Sequence, residues 1–418
     1  MARANFKIAV LIATLLNLAL LWPLLHCRYN HDDLTSSCSV GIAAAHNESV
    51  WGLTLRTIAE WTVLRGRFFP LAFYHFLLFS VVRGLLVYRI IGMACILGNV
   101  FLFALLVGRL TGSRRVGLLA ALMAPLAFQF RLFHDPILSF CLLLPLTCAL
   151  IFGSLLFLDL HLEGKRPWQL VLSISLYVLA ILTYEVAWPF FLVHYLLIRL
   201  RRVPAEARLL KWRTARPFFA VAGFFVLLTV GVRMVFNVPL FNKDPQQAHL
   251  PYAPHLDAGS SMQNFAKQTL AAVPFSYRWF VLRGATVPPV PTPVFVLLLL
   301  GVGYPVAAWL TLGHFHDPTN DATIAPTLAK VALPGLCLLG SAILILPATL
   351  ISLSAEHFRD ASWGVGYLPV YISYFGATLL LIAGIVGVMR LVGYVRLLRM
   401  PLYSAAAVGV GGLLGLVA

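Results

Sequence analysis

The feature that most constrains this chain is a recurring apolar run about 20 residues long, with no long polar stretch between runs to form a soluble domain. The runs do not alternate polar and apolar residues as barrel strands do. Helices are then the only spanning element that satisfies every backbone N–H and C=O within its own segment. Of the 418 residues, 60% are hydrophobic and 11% are charged, whereas a soluble domain carries about 25% charged residues to face water. The sequence predicts an all-α, polytopic integral membrane protein, a single transmembrane domain over 1–418 with about ten or eleven transmembrane helices.

The predicted spans are 8–26, 89–108, 116–132, 136–158, 168–187, 188–200, 217–236, 293–313, 331–351, 370–390 and 401–418. Residues 68–88 are apolar but interrupted by Arg83, which suggests a re-entrant or interfacial segment. Arg3 and Lys7 precede an apolar stretch longer than a signal-peptide core, and no small-residue cleavage site follows, so an uncleaved first helix is expected.

The 31 Lys and Arg against 15 Asp and Glu give a formal charge of +16. Most basic residues sit at the ends of apolar runs, as topology determinants do, which argues for a bilayer and against a nucleic-acid partner. The densest basic stretch, 199–216, falls on the cytoplasmic side if the N-terminus is cytoplasmic. In that orientation only Asp159, Glu163, Glu206, Asp317 and Asp321 of the 15 acidic residues lie inside. The others lie at or near the outer face, together with the two long polar loops, 27–68 and 237–292. A chain that gathers carboxylates and long loops on one face is expected to do its chemistry there. Compact loops and the absence of retrieval signals favour a bacterial inner membrane.

The first outer loop opens with Tyr29-Asn30-His31-Asp32-Asp33. Adjacent carboxylates near a membrane repel unless a cation, an arginine or a protonation shift relieves them. His31 with Asp32 and Asp33 can hold a divalent ion, Mg or Mn, through imidazole and oxygen ligands. Equally, Asp33 or Asp32 can act as general base toward a hydroxyl, or the segment can simply cap a helix. A second turn, Arg131-Leu132-Phe133-His134-Asp135-Pro136, repeats the His-Asp pairing on the same face, with Pro136 suited to the first helical position. His134 and Asp135 could therefore converge with the first turn on one hydroxyl, or Asp135 with His31 and Asp32 on one metal. Glu185 is a third acidic group at an outer helix end, either functional or paired with an arginine. Arg67, held between Gly66 and two Phe, suits phosphate, whereas Arg83 reads as a headgroup anchor.

Other segments carry weaker signals. Cys27 and Cys38 flank the first polar loop and could be bonded or free, since spacing alone does not fix the geometry. Residues 260–283 could form an interfacial helix with Phe265, Trp279 and Phe280 toward lipid and Lys267 and Arg278 toward headgroups. Asn47-Glu48-Ser49 matches a glycosylation sequon, and His314-Phe315-His316-Asp317 reads as an ordinary polar loop.

Taken together, the N-in first helix, the acidic Asp32-Asp33 pair, Gly66-Arg67-Phe68-Phe69, the His134-Asp135 turn and the polar stretch from Glu356 to Tyr371 resemble the GT-C superfamily of membrane glycosyltransferases. The likeness covers 1–200 in motifs and the remainder in topology. It departs in having His-Asp-Asp where the mannosyltransferases have Asp-Glu. The resemblance implies a GT-C-like fold with interfacial helices in the outer loops and a donor sugar on a polyprenyl phosphate. The acceptor would be a glycan, lipid or protein. Asp33 or Asp32 would activate the acceptor hydroxyl, Arg67 or Arg359 would hold the donor phosphate, and the anomeric carbon would invert. Two other classes remain open: a transporter or flippase of lipid-linked saccharides, and a non-catalytic subunit of an envelope assembly.

Overall fold

The structure, a computed structural model, describes residues 3–30, 32–131, 135–137, 139–201, 208–241, 257–281, 300, 302–303, 306–307, 331–354 and 361–394. It is all-helical: 81% helix, with no strand among the described residues. In chain order the helices are α1 (Arg3–Leu21), α2 (Asp32–Ser37), α3 (Ser39–Ala45), α4 (Val50–Arg65), α5 (Tyr74–Val81), α6 (Leu85–Thr111), α7 (Arg114–Met123) and α8 (Leu143–Gly164). They continue with α9 (Pro167–Thr183), α10 (Phe191–Leu200), α11 (Arg208–Val235), α12 (Ala258–Ala271), α13 (Ser276–Phe280), α14 (Leu333–Ser352) and α15 (Val370–Tyr394). Among the described residues six helices are long and apolar enough to cross a bilayer: α1 with its 3-10 extension to His26, α6, α8, α11, α14 and α15. The spans expected at 293–313 and 401–418 lie almost wholly outside the described residues.

Local chemistry explains where elements start and stop. Ser49 caps α4 by accepting the Gly52 amide at 3.0 Å, and Asp257 caps α12 by accepting the Ser260 amide at 2.8 Å. The stretch expected as one span at 116–132 is broken. α7 stops at Met123, Pro125 opens a short 3-10 turn, and the chain then runs extended to Arg131. Likewise α8 begins at Leu143 rather than at Pro136, because Phe140 and Leu142 both take a left-handed backbone, φ 64°, that a continuous right-handed helix cannot contain. Residues 68–88 form a 3-10 turn and α5, packed under α2, α3 and α4, and break at Val82–Gly84 before α6.

The charges mark two ends. Arg89 and Arg109 stand 20 positions apart on α6, which at about 1.5 Å per residue is about 30 Å, the thickness of a hydrocarbon core. Arg89 meets Asp33, in the first acidic turn. Arg109 meets Asp159 on α8 at 2.6 Å and Glu163 at 2.5 Å, while Arg201, just past α10, pairs with both carboxylates. Exposed tryptophans divide the same way, with Trp168 and Trp212 on the Arg109 side and Trp51, Trp279 and Trp363 in the opposite loops. That is the pattern of interfacial aromatic belts.

Between the ends, helices are held by packing, since lipid is as apolar as the core. Phe103, Phe152, Phe375, Phe128, Tyr371 and Tyr374 form one continuous aromatic cluster, with Phe375 at its centre. α14 and α15 approach so closely that a Cβ on Gly376 would lie 2.7 Å from the Leu344 Cα.

Candidate active site

At the Arg89 end, α2 starts at Asp32 and packs against the turn Phe140–Leu142, so the two acidic turns of the sequence lie side by side. Asp32 is exposed and Asp33 is fully buried. Asp33 Oδ2 stands 3.6 Å from Arg89 Nη1, and the same guanidinium donates to the carbonyls of Cys27, at 3.2 Å, and Arg28. Arg89 therefore neutralises one carboxylate of the adjacent pair and braces the segment leading to the other. Tyr29 rests against Phe79 and Tyr88, and burial pushes its hydroxyl above the usual phenol range.

Asp135 is also fully buried. Its two oxygens accept the backbone amides of Arg131 and of Ile137, the latter at 2.7 Å, which makes it the organiser of its own turn. Arg131 reaches the other way, to the Ala271 carbonyl at 3.0 Å and the Tyr374 hydroxyl at 2.9 Å. The two turns share electrostatics at Cys27. Burial raises its thiol pKa first, with Arg89 lowering it and Asp135 raising it further. Phe140 and Leu142, between the turns, are left-handed at φ 64°, a conformation that costs a non-glycine residue about 1–3 kcal/mol and gathers at functional sites.

A second group of charges forms where α4 ends. Gly66 terminates α4 in the left-handed conformation at φ 62°. Arg67 then lies over the rings of Phe69 and Trp61, at 4.7 and 5.3 Å, and pairs with Glu185 at 2.6 Å. Glu185 is thus paired with an arginine, one of its two expected readings, and the salt bridge faces a cavity of about 140 Å³. Arg233, near the end of α11, lines the same cavity within electrostatic reach of Arg67 and Glu185. It is buried and fixed by a 2.7 Å bond to the Pro239 carbonyl. A Cβ on Gly66 would come within 2.7 Å of the Arg233 Cγ, so glycine is needed there for space as well as for backbone angle.

Directly along α11 from this cavity runs an apolar groove lined by Phe68, Val178, Leu182, Val221, Phe224, Phe225 and Leu228. Phe225, Thr229 and Arg233 follow one another at i, i+4 spacing, so one face of α11 passes from the groove to the cavity wall. Phe68 makes the same join from the other side, next to Arg67. An aromatic ladder, Phe69 to Phe73 to Phe76, then leads from Arg67 to the Phe76 carbonyl bonded by Ser39, beside α2.

Of the residues singled out from sequence, Asp32, Asp33, Arg67, Asp135 and Glu185 lie at this one end of the bundle, while His31, His134 and Arg359 lie outside the described residues. No group of three metal-ligating side chains occurs among the described residues, and the Asp135 oxygens are engaged by amides. Cys27 and Cys38 carry free thiols. Helix α12 is docked rather than loose: Asn264 bonds the Ile351 carbonyl, Gln268 accepts the Tyr367 amide, and Gln129 holds both sides of the 271–277 turn. Trp279 and Phe280 remain exposed and Phe265 is half-buried.

Sequence reasoning missed Arg233, which counted only as one charge near a helix end. Its signal was an arginine inside the last turn of a long apolar helix, i+4 from a threonine, where a solitary cation is expensive without an anionic partner. It also missed the buried trio of Ser154, Ser173 and His194, in which His194 Nε2 lies 2.7 Å from Ser154 Oγ and Nδ1 lies 2.7 Å from the Phe190 carbonyl. Comparison with protein-family models, with curated proteins and with solved structures finds no match.

Proposed function

We propose that this protein is a membrane glycosyltransferase that moves a sugar from a polyprenyl-phosphate donor to an acceptor hydroxyl at the extracytoplasmic face. The N-terminus would be cytoplasmic and the membrane a bacterial inner membrane. The observation that carries the reading is the cavity of Arg67, Glu185 and Arg233 with an apolar groove next to it along α11. Arginine forks suit phosphate oxygens, and a groove running down α11 suits a long isoprenoid tail. A ligand that satisfies both has an anionic head at the interface and an apolar chain in the bilayer.

The chemistry needs few groups. The leaving group is a lipid phosphate, stable as an anion, so transfer requires a base for the acceptor hydroxyl and positive charge for the departing phosphate. Asp32, exposed at the start of α2, suits the base. Asp33, buried against Arg89, suits a positioning role that fixes the segment carrying Asp32. Arg67 and Arg233 suit the phosphate. A Mg or Mn ion would find its ligands in His31 and Asp32 rather than in Asp135, whose oxygens already accept amides. The transporter reading would draw on polar groups at mid-membrane, but both nitrogens of His194, the buried histidine there, are engaged within the bundle.

The test is a purified, reconstituted protein given a radiolabelled pool of lipid-linked sugars and membrane acceptors from its source organism. Turnover predicts that label leaves the polyprenyl-phosphate donor with wild type and stays on it with Arg233→Gln. Label that crosses the bilayer still attached to lipid would establish transport instead.

A further inference from the structure

The cavity at the end of α4 contains an acidic residue where a plain phosphate site would have none. Its described lining holds three charged side chains, Arg67, Arg233 and Glu185, so its formal charge is one positive unit. Glu185 is not remote from the cations: its Oε1 is 2.6 Å from Arg67 Nη2, and it acts electrostatically on Arg233. A lipid phosphodiester carries one negative charge and a lipid diphosphate diester carries two. Near hydrocarbon, where water screens poorly, an unbalanced charge is heavily penalised.

We infer that Glu185 sets the headgroup charge this cavity accepts, admitting a donor joined to its lipid through one phosphate and rejecting one joined through two. The inference rests on the reading of the cavity as a lipid-phosphate site. Glu185 holds Arg67 in place over Phe69. When one phosphate enters, two cations face two anions and the site is neutral. A second phosphate adds an anion beside Glu185, and the described lining holds no third cation to meet it. Arg233 cannot swing over to meet it, since Gly66 and the Pro239 carbonyl fix its stem and its head.

The experiment uses the full chain in phosphatidylcholine nanodiscs and two sugar-free probes, farnesyl methyl phosphate and farnesyl methyl diphosphate, which differ in one phosphate. Radiolabelled monophosphate is displaced by each unlabelled probe. Wild type is expected to bind the diphosphate about tenfold or more weakly than the monophosphate. Glu185→Gln should erase or invert that preference, whereas Glu185→Asp should keep it. Thr229→Lys adds a cation to the cavity wall with the Arg67–Glu185 pair intact, and should shift the ratio toward diphosphate as Glu185→Gln does. Equal wild-type affinities would overturn the inference. So would an unchanged ratio in either charge-altering variant that folds, which would make Glu185 a structural partner of Arg67 alone. If neither probe displaces the label, or none binds, the lipid-phosphate reading itself fails and the inference goes with it.

Discussion

Removing one carboxylate from the ion cluster at the Arg109 end should destabilise the bundle far more than removing its neighbour. Asp159 is fully buried and touches both cations, Arg109 at 2.6 Å and Arg201. Glu163 bonds the same two arginines, but half of its side chain meets solvent. In Asp159→Asn the side-chain size is kept and the charge is lost. Arg109 is a quarter exposed and can rehydrate, whereas Arg201 is 6% exposed and cannot. The penalty is then one buried cation stripped of its main partner, about 3 kcal/mol at the low end for breaking a buried pair. Glu163→Gln, at a solvated position, should lose about 1 kcal/mol or less. Replacing both partners with apolar side chains, Asp159→Leu with Arg201→Met, should recover most of the loss, because no charge is left stranded. Reversible unfolding by SDS in bicelles measures all three. Equal losses for Asp159→Asn and Glu163→Gln would refute the reasoning, as would a double variant no better than Asp159→Asn.

Three further outcomes follow from the other end. Gly66→Ala must hold a left-handed backbone, at about 1–2 kcal/mol, and push the Arg233 stem aside; thermal unfolding should show the modest loss while donor binding falls much further. Asp32→Asn should abolish turnover with unchanged thermal stability, whereas Asp33→Asn should lower stability by about 3 kcal/mol by leaving Arg89 buried without its carboxylate; the two assays on each variant separate the roles. Gln129→Ala removes the side chain that bonds both sides of the 271–277 turn, and hydrogen exchange over residues 258–281 should rise without a change over α6 or α8.

The fold class was legible because spanning a bilayer leaves little choice. Long apolar runs announce helices, and charges at their ends announce where they stop. α6 and α14 were readable for that reason, and each spans nearly the residues that hydropathy indicates. Breaks within spans were harder. Pro125 was visible, but its effect on α7 depends on neighbours that satisfy the freed backbone, and nothing in the sequence marks Phe140 and Leu142, both non-glycine, as left-handed. In the site, the sequence pointed to acidic and basic residues one by one and left open which would pair. Glu185 proved to be both paired and at a cavity, alternatives that one-dimensional reasoning treats as exclusive. Arg233 lies 166 positions from Arg67, and only the close approach at Gly66 brings them together.

The most direct test of the account is mass spectrometry of surface glycans and lipid-linked sugars from a deletion strain carrying wild type or Asp32→Asn at equal levels. The account predicts that wild type restores the glycan. With Asp32→Asn the glycan should stay one sugar short while the lipid-linked donor accumulates. Identical glycans and lipid pools in the two strains would contradict a transferase that uses Asp32 at this face.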